Sequence, residues 1–191
     1  MFVKFFYVLA RIVLKSVYFC RVEGRENIPE GGCLICANHS SWSDPVFVGV
    51  AVGIKPKLNI MAKQELFEKK ARAWFFGKLG AFPVKRGEGD LSAIRKAYQV
   101  LACRERLLIF PEGTRYDKLH AKSGAGMFAL RTGCTVLPVY VSESKKLFHR
   151  TRVVIGKPFV PEKPAGKLSH EDYAACSDDI LKRIYELEPK T

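Results

Sequence analysis

The sequence predicts a single-domain α/β protein whose central sheet is mostly parallel or mixed and is flanked by helices. Short apolar runs alternate with stretches of helical spacing along the chain. The 191 residues suffice for one domain with a sizeable core, and 48% of them are hydrophobic. No repeat or low-complexity run divides the chain. We therefore expect an N-terminal helix over residues 1–20 and one folded domain over residues 21–191.

The first 20 residues predict an amphipathic helix that lies in a membrane interface. Lys4, Arg11 and Lys15 fall within a narrow arc at about 100° per residue, and the rest of the circumference is aromatic or aliphatic. These charges argue against a membrane span and against a cleaved signal peptide. Apolar burial in lipid with the cations toward the headgroups fits the pattern. A helix packed on the protein's own core, with its cations in water, is the alternative.

Strands are expected where short apolar runs are bounded by turn residues. A short strand and turn leave the N-terminal helix within 21–32, which carries three glycines and a proline. The later runs predict strands at 33–37, 55–62, 80–84, 107–110, 135–141 and 152–155.

Helices are expected between these strands, most of them with a start or stop signal. Asp44 caps a helix with Pro45 at its first position, and the stretch 63–78 is helical. Asp90 caps an amphipathic helix whose apolar face carries Leu91, Ile94, Tyr98 and Leu101. A helix over 124–132 stops at Gly133, and Ser169 with Asp172 opens a closing helix that runs to about residue 187.

The net charge indicates the kind of partner, and the cysteines indicate the redox compartment. The net charge of +13 implies an anionic partner: nucleic acid, anionic lipid or a phosphorylated substrate. The six cysteines lie mostly in apolar runs, which favours buried free thiols in a reducing compartment. Cys33 and Cys36 are three apart in a predicted strand, so they point to opposite faces. We expect no metal site.

His39 and Asp44 are the first candidates for chemistry. A continuous helix would hold them about 140° apart, but the Asp-Pro helix start makes such a helix improbable. A turn through residues 40–43 folds Asp44 back toward the imidazole, fixes its tautomer and leaves the other ring nitrogen as a base. The alternative is that Asp44 only caps a helix and His39 is a loop residue.

A second cluster follows the predicted strand at 107–110, where open α/β sheets place ligand sites. Glu112 and Gly113 form a turn there, and Arg115 offers a planar fork for phosphate. Arg86 leaves another strand end in a similar context. Lys122 and the helix start at 124–126 add either an anion site or a glycine packing contact. Two arginines at strand ends favour a dianionic ligand, although each can also be a solvated surface cation.

Four blocks in this order resemble the glycerolipid acyltransferase family, in particular the compact bacterial lysophosphatidic acid acyltransferases. They span much of the chain, and a lone His-x4-Asp would be weak by comparison. The blocks are Asn38-His39-x4-Asp44, Gly80-x-Phe82-Pro83-Val84-x-Arg86-Gly87, Phe110-Pro111-Glu112-Gly113-Thr114-Arg115 and Val136-Leu137-Pro138-Val139.

The resemblance implies acyl transfer to the 2-hydroxyl of 1-acyl-sn-glycerol-3-phosphate, lysophosphatidic acid, forming phosphatidic acid in phospholipid biosynthesis. The donor is acyl-CoA or acyl-carrier protein, with no tightly bound cofactor. Attack on the thioester is direct, consistent with the lack of a G-x-S-x-G elbow. The implied roles are general base for His39, orientation for Asp44, phosphate binding for Arg86 and Arg115, acceptor binding for Glu112, Gly113 and Thr114, and an acyl-donor region at Val136 and Pro138.

Two departures and two alternatives accompany the resemblance. Tyr116 stands where many members have serine, and the hydrophobic start is a single helix long, which favours peripheral or monotopic attachment at the cytoplasmic face of the cell membrane. The same chemistry on glycerol-3-phosphate, another lysophospholipid or an aminolipid is the nearest alternative. A basic nucleic-acid-binding protein is the remote one, because no aromatic-basic RNA signature or recognition-helix motif is present.

Overall fold

A computed structural model of the chain describes residues 1–85, 90–112 and 121–189. The described residues form a seven-stranded sheet in the order β1-β7-β6-β2-β5-β3-β4. Its strands are β1 (Arg21–Glu23), β2 (Leu34–Ala37), β3 (Leu58–Lys63), β4 (Ala81–Val84), β5 (Arg106–Ile109), β6 (Val136–Val141) and β7 (Arg152–Ile155). β7 pairs antiparallel with β6, and the other described neighbours pair in parallel. The predicted α/β class with a mostly parallel, mixed sheet is confirmed.

The same ranges hold α1 (Phe2–Val17), α2 (Asp44–Val52), α3 (Lys70–Lys78), α4 (Leu91–Ala102), α5 (Gly124–Thr132) and α6 (His170–Tyr185), with 3-10 turns at Arg25–Asn27 and Gln64–Phe67. Local sequence signals explain where several of these helices begin or end. Gly133 adopts φ 62°, the left-handed region, and stops α5. Ser169 and Asp172 form a capping box at the start of α6.

The core lies on both faces of the sheet. One layer packs α1 and α2 on the sheet through residues such as Leu14, Phe47 and Val48. The other packs α4, α5 and α6 through residues such as Val100, Phe128 and Ile180. Cys33 belongs to the first layer and Cys36 to the second, which confirms that they point to opposite faces.

The six cysteines are free, but they are less uniformly buried than the sequence suggests. Cys33 and Cys36 are buried, and Cys103 is exposed at the end of α4. Burial raises the pKa of the Cys33 thiol to about 11, despite the opposing charge of Arg106. This thiol is therefore a packed core group at neutral pH.

The helix α1 has two unlike faces. Leu14 is buried against α2, and near the start of the helix the rings of Phe2 and Phe6 pack edge-on against Phe75 of α3. The opposite side leaves Phe5 and Ile12 exposed to solvent. The helix therefore both packs on the core and presents an apolar face. No helix in the described ranges has the length and apolarity needed to cross a membrane. The division of the chain at residue 20 stays a prediction.

Three local predictions were wrong in detail. The helix expected over 63–78 is divided, because Lys69 is extended between the 3-10 turn and α3. On α4 the predicted apolar face is confirmed for Ile94, Tyr98 and Leu101, which pack against the core, but Leu91 is exposed. The fully buried residues of this helix are Ala93, Ala97 and Val100. Asp44 is the first residue of α2 and Ser43 is its N-cap, because the Asp44 carboxylate turns back to residues 39–41 instead of forward into the helix.

Candidate active site

The candidate site lies at the carboxyl ends of three adjacent parallel strands, β5, β2 and β6. His39 and Asp44 follow β2, Glu112 follows β5, and Lys145 lies in the loop after β6. Open α/β sheets bind ligands at this edge because the strand-end loops converge there. The topology therefore assembles side chains that are far apart in the sequence.

His39 and Asp44 are in contact, as the turn interpretation predicted. His39 Nδ1 lies 3.0 Å from Asp44 Oδ2, and the imidazole stacks on Phe110 with ring centroids 4.2 Å apart. The Asp44 side chain is 1% exposed and that of His39 is 13% exposed. With Nδ1 donating to the carboxylate, Nε2 remains as an acceptor for a substrate proton.

Backbone contacts explain why the chain turns between these two residues. Ser40 N–H and Ser41 N–H each donate to Asp44 Oδ2 at 2.7 Å. Before the turn, Asn38 extends the β2–β6 ladder with its side chain, which donates to Val141 O at 2.9 Å and accepts from Val141 N–H at 2.7 Å. One carboxylate oxygen thus organises the turn and holds the imidazole.

Glu112 is buried directly behind His39. Its Oε2 accepts from the His39 backbone N–H at 3.3 Å, and its Oε1 accepts from the Tyr185 hydroxyl of α6 at 2.6 Å. Glu112 is 1% exposed. The sequence predicts that Glu112 binds the acceptor, and that role stays a prediction. The structure shows that its carboxylate ties the His39 backbone to the closing helix α6.

Lys145 contacts the same turn from the loop between β6 and β7. Its Nζ lies 2.7 Å from Asp44 Oδ1 and donates to Ser40 Oγ at 2.7 Å. Burial raises the pKa of Asp44, but the hydrogen bond from His39, the contact with Lys145 and the Ser41 amide together lower it below its usual value. Asp44 is therefore ionised at neutral pH and can hold the His39 proton.

An apolar cavity of about 640 Å³ opens beside His39. It runs between α1, α2, β3 and α3, and His39, Trp42, Phe110 and Lys63 line one end of it. Gly53, Leu58 and Gly80 line the other end, because β3 runs toward the His39 edge of the sheet. This volume lies within the range of small-molecule sites, and its apolar walls suit a hydrocarbon chain.

Several predicted site residues lie outside the described ranges: Arg86, Gly113, Thr114 and Arg115. Lys122 is described and is exposed, and its backbone N–H donates to Pro111 O at 2.8 Å. The glycines that follow Lys122 differ in how closely they are packed. Gly126 packs against α6, where a Cβ would approach Tyr173 O to 2.1 Å, whereas Gly124 has open space around it. The packing explanation therefore holds for Gly126.

Val136 and Pro138 lie in β6, in register with Leu34 and Cys36 of β2. Both are buried in the sheet, and neither lines the described cavity. Their assignment to an acyl-donor region stays a prediction.

Two features of the site were missed from sequence. Lys145 is one of 32 cations, and no local pattern distinguishes a lysine that is buried on Asp44 from one in solvent. The cavity walls are apolar residues at ordinary core spacing, so nothing in their pattern separates a cavity from a packed core. The glycines at 49, 53, 77 and 80 are the nearest to a signal, since they remove side-chain volume along the cavity.

The chain is similar to known proteins over most of its length. A family model described as Acyltransferase matches residues 19–142. The chain is 34% identical over 188 residues to the 1-acyl-sn-glycerol-3-phosphate acyltransferase of Bacillus subtilis strain 168, covering 94% of each chain. It is 37% identical over 165 residues to the protein of the same name from Streptococcus pneumoniae, covering 83% of this chain and 61% of that one.

A solved structure is similar as well. The crystal structure of the 1-acyl-sn-glycerophosphate (LPA) acyltransferase PlsC from Thermotoga maritima superimposes with a TM-score of 0.68 at 27% identity. The match covers 99% of this chain and 79% of that one. The similarity therefore extends to α1 as well as to the sheet.

Proposed function

This chain belongs to the acyltransferase family and is an O-acyltransferase, and on that premise we propose that it acylates the 2-hydroxyl of 1-acyl-sn-glycerol-3-phosphate. The product is phosphatidic acid, an intermediate of phospholipid synthesis. The donor is the thioester of acyl-CoA or of acyl-carrier protein. The observation that carries the proposal is the His39–Asp44 contact at one end of an apolar cavity.

The reaction proceeds by direct transfer between the two substrates. His39 Nε2 takes the proton of the 2-hydroxyl as its oxygen attacks the thioester carbonyl carbon, while Asp44 holds the Nδ1 proton. The tetrahedral intermediate collapses, the carbon–sulfur bond breaks, and the proton on His39 passes to the departing thiolate. An ester and a free thiol result. Because a thioester is already activated, the reaction requires no tightly bound cofactor, and we expect a chelator to leave the rate unchanged.

The cavity receives the acyl chain of the donor. The thioester carbonyl has to reach His39, and the cavity leads away from that residue between apolar walls. β3, one of these walls, has six residues and so extends over roughly 17 Å. Burial of the chain contributes roughly 0.8 kcal/mol per methylene, which favours long acyl groups.

The phosphate of the acceptor binds the arginines that follow β4 and β5 in the sequence. Arg86 and Arg115 are the proposed phosphate ligands, with Gly113 and Thr114 beside the acceptor and Lys122 as a further cation. These assignments follow the family motif and the sequence. Replacing Arg115 by alanine is expected to raise the KM for the acceptor at least tenfold and to leave the KM for the donor unchanged.

The test is an acyl-transfer assay of the purified protein. The acceptors are lysophosphatidic acid, glycerol-3-phosphate, another lysophospholipid and a lyso-aminolipid, each offered with acyl-CoA and with acyl-carrier protein. We expect lysophosphatidic acid to be preferred and His39→Ala to lower kcat by about 10³-fold or more. Activity that survives His39→Ala would overturn the mechanism, and preference for another acceptor would overturn the substrate.

A second experiment tests the place of the acyl chain. Gly49 lines the cavity, and a Cβ there reaches ordinary contact with Leu58 at 3.5 Å, so a leucine side chain enters the open volume. Gly49→Leu is expected to shift the donor preference toward shorter chains. Gly31→Leu, at an exposed position with no atoms within 4 Å, is the control. An unchanged chain-length profile would place the acyl chain elsewhere.

We propose that the exposed face of α1 binds the cytoplasmic surface of the membrane. Phe5, Val8, Leu9, Ile12 and Val13 are exposed along this face. At 100° per residue they lie beside the arc of Lys4, Arg11 and Lys15. Apolar side chains then enter the lipid while the cations meet anionic headgroups, which gives peripheral or monotopic attachment.

Vesicle sedimentation tests this surface. The double variant Phe5→Ser/Ile12→Ser is expected to lose most of its binding to vesicles of phosphatidylglycerol and phosphatidylcholine. Leu91→Ser, at an equally exposed residue of α4 on the other side of the sheet, should bind as the wild type does. Equal losses in both variants, or none in either, would contradict the assignment to α1.

A further inference from the structure

The loop between β6 and β7 carries a lysine whose ammonium group is buried against the His39–Asp44 turn. The Lys145 side chain is 5% exposed, although the flanking residues Ser144 and Lys146 are exposed. Burial of an ammonium ion is costly unless its charge is paired. The position of Lys145 therefore indicates a specific contact with the turn and not a surface placement.

The two oxygens of Asp44 have separate partners. Oδ2 receives His39 Nδ1 and the amides of Ser40 and Ser41. Oδ1 is buried, and among the described residues only the Lys145 ammonium approaches it. The Lys145 ammonium, 2.7 Å away, is thus the described group that compensates Oδ1. The same ammonium donates to Ser40 Oγ and so contacts the turn at two points.

We propose that Lys145 is a positioning residue for acyl transfer: it fixes the Asp44 carboxylate toward His39 and offsets the charge of that carboxylate, so that the imidazole can accept the substrate proton. The inference rests on the proposed function of His39 and adds a third member to the pair. Lys145 acts through Asp44 and is not assigned a contact with either substrate.

The charges of Asp44 and Lys145 act on the His39 imidazole in opposite directions. An ionised carboxylate next to a histidine favours the imidazolium, which cannot act as a base. A second cation on the same carboxylate offsets that attraction, because its charge opposes protonation of the ring. Nearby charges of this kind shift a titration by about one to three pH units. Removal of the lysine charge should therefore make His39 hold its proton to higher pH.

The other charged and titratable groups around the site are unchanged by a substitution at Lys145. Glu112 lies behind the His39 backbone, with Tyr185 of α6 bonded to it. Lys63, at the end of β3, lies over the ring of Trp42. Glu143 of the same loop acts electrostatically on Tyr185. Differences between the wild type and a Lys145 variant therefore isolate the lysine.

The test compares Lys145→Met, Lys145→Arg and the control Lys157→Met. Lys157 is exposed and follows β7 at the opposite end of the sheet. For Lys145→Met we expect kcat at pH 7 to fall about 10- to 100-fold with both KM values nearly unchanged, and the acid limb of the pH–rate profile to move up by about one unit. Lys145→Arg should keep the wild-type acid limb, and Lys157→Met should match the wild type throughout.

A titration of His39 by NMR gives a readout that does not depend on activity. Its signal is assigned by its loss in His39→Ala, and its midpoint should rise by about one pH unit in Lys145→Met. If that variant does not fold, Lys145→Gln removes the charge with a polar side chain and should show the same shift. An unchanged midpoint and acid limb would overturn the proposal, as would a Lys145→Arg protein that titrates like Lys145→Met. A wild-type protein without acyl transfer would overturn the proposed function, and the NMR titration would still test Lys145.

Discussion

Asp44 and Asp90 both stand at the start of a helix, and their carboxylates make opposite use of that position. Asp90 Oδ1 turns forward into α4, where it accepts from Ser92 N–H at 3.0 Å and Ala93 N–H at 3.1 Å. Asp44 Oδ2 turns backward, away from α2, and accepts from residues 39–41. The first is partly exposed and stabilises a helix end, whereas the second is buried and holds a side chain that can take up a proton.

The difference shows what decides the role of an aspartate at such a position. Asp90 needs only its own helix, because the donors it meets are two and three residues ahead. Asp44 needs groups from other strands: Lys145 after β6 compensates its second oxygen, and Glu112 after β5 holds the His39 backbone. A helix cap is a local interaction, and the His39–Asp44 pair is a tertiary one.

The largest expected effect comes from removing the charge of each aspartate in turn. Asp44→Asn should lower kcat about 10²- to 10⁴-fold, because an amide neither holds the imidazole in the correct tautomer nor balances Lys145. Asp90→Asn should leave kcat within about twofold, since asparagine is an equally good N-cap. Steady-state kinetics on proteins with matching circular dichroism spectra would measure this. An Asp44→Asn enzyme with near wild-type kcat would remove the distinction between the two residues.

A smaller effect is expected from the support behind His39. Tyr185→Phe removes the hydroxyl that donates to Glu112 at 2.6 Å, and we expect kcat to fall several-fold and the free energy of unfolding to fall by about 1 kcal/mol. Tyr140→Phe is the matched control, because its hydroxyl donates at the same distance to Glu188 and not to Glu112. Thermal unfolding and kcat, measured together, distinguish the two. Equal kcat in both variants would show that the turn does not depend on Glu112 being held.

The smallest expected effect is the pH dependence that Asp90 contributes to stability. Hydrogen bonds from the Ser92 side chain, the Lys85 amide and the Ala93 amide lower the pKa of Asp90 from 3.8 to about 2. A carboxyl whose folded pKa is depressed stabilises the fold above its unfolded pKa and loses that contribution as pH falls through the folded value. The melting-temperature difference between the wild type and Asp90→Asn should therefore be constant above pH 5 and shrink toward pH 2.

Full retention of that difference at pH 2 would contradict the lowered pKa of the Asp90 carboxyl. The effect should also weaken with added salt, because the carboxylate of Asp90 is partly exposed and its charge is screened. A difference that is insensitive to salt would contradict a contribution from the Asp90 charge.

Local signals in the sequence were sufficient for many elements. The Gly133 stop, the box of Ser169 and Asp172, and the cap at Asp90 each involve groups within three or four residues of one another, and all three form as predicted. The helix expected over 63–78 failed because nothing in its spacing shows that Lys69 is extended. Apolar spacing on α4 predicted the helix and most of its packed face, but not the full burial of the small residues Ala93 and Ala97 or the exposure of Leu91.

The sequence alone determined the α/β class, the family resemblance and the pairing of His39 with Asp44 as one of two possibilities. The tertiary structure decided between those possibilities, because the direction of a carboxylate depends on which donors surround it. It also brought Lys145 to within 2.7 Å of Ser40 Oγ, 105 positions away in the chain, and opened the cavity between α1, α2, β3 and α3. Alternation and capping are encoded within a few residues, whereas charge pairs and cavities arise from which strand ends the sheet places side by side.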